Sequence, residues 1–374
     1  MPNTPTFAME PDRISFWGTE RLKGNGSVLY WMQASPRLTD NFALSWAADQ
    51  ARRENRPLAV LTVIDPQEQN PGLAQQFYEQ GLALTAQQLQ AQGLTLVVLR
   101  GDPRLILPKA AQNAAFVVLD RSYTLEQRQL HREVARLCPV PLVGVEDNVT
   151  IPVKSASSKE EWSAATFRPK LWKALHQRSP EHAVVGDVAD GGPELASQLN
   201  DSGFTPIEVS TGGALKGGEL AAQEKWQDFL AQKLSRYGQR NDPLQEVQSG
   251  LSAYLRFGFI SPLTLLRDLQ TEGLWKPQAG FAPAGTDPRA EFLDEVFVRR
   301  ELSVNFVFYQ PLYRQFEGLP SWAQATLNAH RNDPREVLYQ EKAWDEAQTH
   351  DEVWNACQNL LKTTGQMPGY LRMY

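Results

Sequence analysis

Short, strongly apolar runs recur through the first 150 positions, separated by stretches with apolar residues three and four apart. Val28–Trp31 (VLYW) precedes the polar MQASPRLTDN, and Leu58–Ile64 (LAVLTVI) is interrupted only by Thr62 before Asp65 and Pro66 close it. Residues 94–99 and 116–119 repeat the pattern, and residues 140–145 add another run. Between them, residues 77–92 space Leu82, Leu84, Leu89 and Ala91 to give one inward helical stripe. Strands apolar on both faces, alternating with helices, predict a mostly parallel, Rossmann-like sheet in an α/β domain at 25–150, after an N-terminal extension at 1–24. Such a sheet offers a ligand crevice beyond the carboxyl ends of its strands. No G-x-G-x-x-G follows the first strand, and Gly24 and Gly26 lie ahead of VLYW, so dinucleotide binding in the usual mode is not expected.

The pattern changes at Lys154. SSKEEWSAATFRPK and DVADGGPELASQLNDSGFTP sustain no period, which predicts a long interdomain connection with short helices over 151–213. From Gly218 the chain turns helical: ELAAQEKWQDFLAQKLSRY puts Leu220, Trp226, Phe229, Leu230 and Leu234 near one side of a helix. Asp242 before Pro243 ends that region. Further helices are expected at 262–269, 290–308, 321–330 and 349–363, so a second domain, 214–374, reads as all-α.

Length supports two domains, since 374 residues exceed what one core usually serves. The net charge of −6 gives no global signature of a nucleic-acid binder, though a local basic strip can sit on an acidic body. Cys138 and Cys357 lack the spacing of a metal or redox pair and read as thiols in a reducing compartment. The start carries no secretory pattern and no apolar run is long enough to span a membrane, so a cytoplasmic protein is expected. No histidine or cysteine grouping predicts a metal, and neither a nucleophile elbow nor a P-loop is present.

Three segments carry candidate chemistry. In SGLSAYLRFGFISP, Ser249 and Ser252 beside glycines suit either a turn with serine caps or an anion held by free backbone N–H groups. In FLDEVFVRRELSVNFVFY, Glu295 and Arg299 can pair one turn apart. There Glu301 and Asn305 belong either to an exposed charge ladder or to an inward-facing pair. A buried carboxylate beside an amide is costly unless it serves a partner. In the last helical region, Trp354 reads first as core packing.

The stretches VLYWMQASPRLTDNFAL, SSKEEWSAATFRPK, LSRYGQRNDP, SGLSAYLRFGFIS, FLDEVFVRRELSVNF, WAQATLNAH, THDEVWNACQ and GQMPGYLRMY occur in the order found in class II cyclobutane pyrimidine dimer photolyases. The chain from Leu29 onward resembles that branch of the photolyase/cryptochrome family. The resemblance implies an α/β antenna domain, a long linker and a helical domain holding FAD. It also implies light-driven electron transfer from reduced FAD to a pyrimidine dimer flipped out of UV-damaged DNA. Carried over by position, Tyr237, Ser249, Leu251 and Ser252 are phosphate-side FAD contacts, and Glu301 is the acid that hydrogen-bonds the dimer. Asn305 and Asn355 border flavin or substrate, Trp354 belongs to a tryptophan relay, and Arg372 lies near the flavin ring. Arg256, Arg299, Arg300 and Arg331 are candidates for a basic strip at the cavity mouth. An antenna chromophore (deazaflavin, flavin or folate), a monomeric state and no membrane partner complete the expectation. The sequence departs from the family pattern at Ala253, Arg256, Phe259 and Pro368, the last standing where a cavity histidine is usual. Family members continue past the position of Tyr374, so the resemblance also implies an incomplete helical domain that binds flavin weakly or not at all. The alternative is a degenerate or cryptochrome-like homologue that binds flavin, DNA or a partner without repair.

Overall fold

The computed structural model describes residues 9–17, 24–66, 72–178, 183, 185–209, 216–271 and 288–373. Part of the 1–24 extension, the boundary expected at 213/214, and Tyr374 lie outside the described residues. The apolar runs form β2 (Val28–Trp31), β3 (Leu58–Ile64), β4 (Leu96–Arg100), β5 (Phe116–Asp120) and β6 (Leu142–Val145). A further strand, β1 (Ile14–Trp17), comes from the segment read as an extension. The sheet order is β1-β6-β5-β2-β3-β4, parallel throughout except for β1, which runs antiparallel to β6. Helices α1 (Phe42–Arg53), α2 (Leu73–Ala91), α3 (Pro103–Ala110) and α4 (Leu125–Leu137) connect successive parallel strands.

Alternation along β2 explains its unbroken apolar sequence. Val28 and Tyr30 join Phe42, Leu44 and Ala47 of α1 on one face. Leu29 and Trp31 face the other way, into a cluster with Ile106 and Leu107 of α3 and Val134 of α4. The connection contributes α5 (Val153–Ala156), α6 (Ala164–His176) and α7 (Gly192–Asp201). Leu195 and Leu199 of α7 enter that same cluster, and the Leu58 N–H donates to Ala189 O at 2.8 Å, so the connection folds back onto the sheet.

The remaining chain is mostly helical: α8 (Glu219–Asp228), α9 (Ser252–Phe257), α10 (Pro262–Thr271), α11 (Pro288–Leu293), α12 (Arg300–Tyr309), α13 (Ser321–Ala329), α14 (Glu341–Asp345), α15 (Glu352–Thr364) and α16 (Gly369–Met373). A wide π turn at Phe229–Lys233 shifts the helical register, which keeps Trp226, Phe229 and Leu234 all buried. Leu220, expected on that stripe, is exposed because six residues place it about 120° around from Trp226. Trp226 stacks on Phe229 and Phe292, and Trp172 of α6 meets Phe297 edge-on at 5.0 Å. Phe77 of α2 packs against Tyr254 and Phe259, so this aromatic core reaches across to the α/β half.

Gly258 ends α9 at φ +76°, and a Cβ there would fall 1.8 Å from Ala34 O. Both the left-handed conformation and the close approach demand glycine. Gly258→Ala is expected to destabilise the fold by at least ~1–3 kcal/mol, seen as a lower thermal midpoint; an unchanged midpoint contradicts this packing.

Candidate functional site

Beside that aromatic contact, buried charged side chains join the two halves. Arg37, in the loop after β2, is fully buried and pairs with buried Asp147 at 2.7 Å. It also donates to Gly258 O at 2.8 Å, to Asp40 O at 3.1 Å and to Thr39 O at 3.2 Å. Asp147 in turn accepts the first free N–H groups of α1, those of Phe42 and Ala43. Glu219, opening α8, accepts the Leu38 and Thr39 N–H groups at 2.7 and 3.0 Å. Asn41 caps α1 through Leu44 N–H and donates to Ser35 O and Arg37 O. These contacts were not foreseen from the sequence.

Glu301 and Asn305 lie one turn apart on α12 and both face inward, 3% and 1% exposed. The exposed-ladder reading therefore fails for this pair and holds for its neighbours, where Arg299 pairs with Asp294 at 3.1 Å and Glu295 at 3.6 Å. Glu301 Oε1 accepts the Thr150 N–H at 2.9 Å and an Arg300 N–H at 3.2 Å. Burial raises the Glu301 carboxyl above its ordinary range, against the pull of Arg300, and burial lowers Arg300. Asn305 accepts from Glu161 N–H at 2.8 Å and donates to Lys159 O at 3.0 Å. Both residues thus grip the segment that follows β6. Of the expected basic strip, Arg256 and Arg331 are exposed, Arg299 is exposed but paired, and Arg300 is turned into the seam towards Asn148 O at 2.6 Å.

Tyr237 is buried edge-on against Phe229 and Phe292, with the Arg240 guanidinium 4.9 Å from its ring centre. Burial pushes its phenol up to about 12. Ser249 Oγ accepts the Leu251 N–H at 3.3 Å, and Leu251 is the buried N-cap residue just ahead of α9. Ser252 is exposed at the first position of that helix, where no side chain caps the free N–H groups. Gly250 between them has φ +67°, and a Cβ there would lie 3.2 Å from the Lys225 ammonium. Hydroxyls, free amides and a cation over a side-chain-free turn form a donor set that fits the diphosphate of a nucleotide cofactor. Lys225 was missed because nothing local in the sequence ties it to this turn.

Trp354, Asn355 and Arg372 make their contacts elsewhere. Trp354 is half-buried rather than in a core; it meets Trp344 edge-on at 4.8 Å, and Trp344 meets Tyr339 at 5.0 Å. Tyr339 stacks on His350 and its hydroxyl bonds His350 Nδ1. Asn355 turns back to the loop ahead of α15, accepting from Thr349 N–H at 2.9 Å and donating to Thr349 O at 2.8 Å. Arg372 is exposed on α16, and Pro368 precedes that helix, its carbonyl accepting the Arg372 N–H.

The crevice expected of the sheet falls where β2 and β5 adjoin, the point at which strand order reverses. Asp120 ends β5 there and accepts the Gln33 N–H at 2.8 Å, while the Gln33 amide faces His131 Nε2 at 3.2 Å. Burial, reinforced by the Asp147 charge, pushes Asp120 up to about 7; burial, with Arg121, drives His131 down to about 3. A raised carboxyl holds a proton in the folded state that the unfolded chain has already released. Its contribution to stability therefore falls as pH rises between about 4 and 7. His131 acts in the opposite sense, its contribution being lost as pH drops below the ordinary imidazole range. Asp120→Asn is expected to remove the decline between about pH 4 and 7 and leave the histidine slope, as read from urea midpoints across pH. An unaltered profile contradicts the assignment.

Among the described residues no helix is long and apolar enough to cross a membrane. The DNA photolyase family model matches residues 28–186. The chain is 38% identical over 354 residues to a deoxyribodipyrimidine photo-lyase of Methanothermobacter thermautotrophicus, an alignment covering 93% of this chain and 76% of that one. It is 32% identical over 373 residues to the protein of that name from Arabidopsis thaliana, covering 93% and 72%. Among solved structures, a class III photolyase from Agrobacterium tumefaciens matches with TM-score 0.66 at 21% identity, covering 95% of this chain and 72% of the other. A Synechocystis cryptochrome matches with TM-score 0.68 at 18% identity, covering 94% and 74%. At these identities the structural matches establish a shared fold.

Proposed function

This chain belongs to the photolyase/cryptochrome family, and from that premise we propose that it repairs cyclobutane pyrimidine dimers in DNA by light-driven electron transfer from reduced FAD. The observation that carries this reading is its 38% identity, sustained over 93% of the chain, to a deoxyribodipyrimidine photo-lyase. The class II pattern of the RREL stretch refines it, with Glu301 as the acid that meets the dimer. When bound, reduced FAD supplies the photoexcited electron that splits the cyclobutane ring.

The chain's own residues position and shield. Ser249, Leu251, Ser252 and Lys225 are assigned to the diphosphate side of FAD, with Tyr237 behind them. Glu301 donates or accepts at the pyrimidine carbonyl edge, and its burial keeps that hydrogen bond away from water. Asn305 braces the segment ahead of α6. Trp354, with Trp344 and Tyr339 in ring contact, is assigned to the electron relay; Asn355 fixes the start of its helix, and Arg372 lies on the flavin side. A second chromophore (deazaflavin, flavin or folate) belongs in the α/β half. The organisation follows the family: antenna domain at 25–150, linker at 151–213 and FAD-binding domain from 214. Arg256 and Arg331 are the exposed cations assigned to DNA phosphates.

One observation favours a second reading, a cryptochrome-like homologue without repair: Glu301 already bonds Thr150 at the end of the α/β half, and Asn305 bonds the linker. Binding separates the two. The repair reading expects a duplex carrying one thymine dimer to bind at least roughly tenfold more tightly than the undamaged duplex at equal salt. Equal affinities favour the second reading.

A further inference from the structure

We propose that Arg13, just ahead of β1, is a positioning residue for Glu301, because it holds the peptide group whose N–H grips that carboxylate. The proposal rests on Glu301 being the acid that meets the dimer. Arg13 is completely buried, although it precedes residue 28, where the family model's match begins. Its Nη1 donates to Glu146 O at 2.9 Å and to Val149 O at 3.1 Å, and its Nη2 donates to Thr150 O at 2.8 Å. Nε pairs with Glu10 at 2.6 Å, and the guanidinium lies 4.5 Å from the Phe42 ring centre.

The Val149 carbonyl and the Thr150 N–H are the two ends of one planar peptide group. Arg13 draws on its oxygen, and the same group offers its N–H to Glu301 Oε1 at 2.9 Å. Hydrogen bonds in series polarise one another, so the buried cation strengthens the grip on the carboxylate without touching it. Arg300 closes the other side, donating to Asn148 O at 2.6 Å and to the same Glu301 oxygen at 3.2 Å. The 146–150 loop is therefore clamped between two guanidinium groups, and both clamps converge on Oε1.

Anchoring the sheet edge does not explain this arrangement. β1 already pairs with β6 from Ile14–Val145 to Trp17–Leu142, and Arg13 O accepts the Glu146 N–H through its backbone alone. The fork of the side chain is spent on carbonyls of the loop that reads Glu301. Lysine keeps the charge but cannot span three carbonyls with a rigid planar fork.

The test uses the full chain with Arg13→Lys, followed by amide hydrogen exchange and by the infrared carboxylate band that Glu301→Gln abolishes. The Thr150 amide is expected to exchange roughly tenfold faster, with the Val118 and Val143 amides unchanged. The Glu301 band is expected to shift. In the Glu301→Gln background Arg13→Lys should cost Thr150 less protection than it does alone, the non-additivity expected of one shared chain of bonds. Wild-type Thr150 exchange with an unmoved band overturns the proposal, and so does a loss of protection spread evenly through β1 and β6. If Arg13→Lys does not fold, the Arg13 guanidinium N–H resonances in Glu301→Gln decide the matter: displaced signals support the coupling and unmoved signals overturn it. These readings require neither light nor substrate, so they remain distinct from any failure of the repair reading, which only dimer repair reports.

Discussion

Arg37→Ala is expected to lower folding stability by about 3–5 kcal/mol, measured as a shift of the urea midpoint at constant slope. The reason is what the substitution leaves behind. Asp147 would stay in a site with no solvent exposure of its side chain and would lose the guanidinium that neutralises it, and Gly258 O would lose its donor. An uncompensated charge in the interior is worse than no pair at all. Replacing Arg37 by Met together with Asp147 by Leu is accordingly expected to cost less than the single substitution, apart from the lost start of α1. A loss below ~1 kcal/mol for Arg37→Ala would mean the seam behaves like a solvated surface pair, contrary to its burial.

Glu301→Gln is expected to lower light-driven dimer repair roughly ten- to hundredfold, the range for one charged hydrogen bond lost from a buried site. The fold should survive, because an amide oxygen in place of Oε1 can still accept both the Thr150 and the Arg300 N–H groups, without the carboxylate charge. Repair rate and urea midpoint measured on one preparation separate the two effects. A large fall in stability with unchanged repair per folded molecule would make Glu301 a seam residue only.

The sheet was legible because its strands are covered on both faces, which writes burial directly into runs such as LAVLTVI. β1 was hidden for the opposite reason. It is four residues long at a sheet edge, Phe16 is half exposed, and the charged Arg13 beside it gives no sign of being buried. The polar seam was equally hidden. Arg13, Arg37, Glu219 and Glu301 look like ordinary surface charges, and their partners lie more than a hundred positions away in sequence. Glu301 and Asn305 could be placed on one face of a helix from their spacing, but spacing cannot say whether that face meets solvent or protein. Asn355 illustrates a local limit: its bonds to Thr349 form a turn ahead of α15 that residue type alone does not announce. The hydroxyls of Ser249 and Ser252 were legible as a candidate turn, whereas the cation above it, Lys225, arrives from a different helix.

Counting thymine dimers in a defined duplex before and after blue illumination, with this chain reconstituted with reduced FAD, tests the account most directly. The account predicts that dimers disappear in the light, persist in the dark, and persist in both when Glu301 is replaced by Gln at an exposure that clears them with the unaltered chain. Dimer numbers that stay constant under light, in a preparation that demonstrably binds both flavin and duplex, would contradict it.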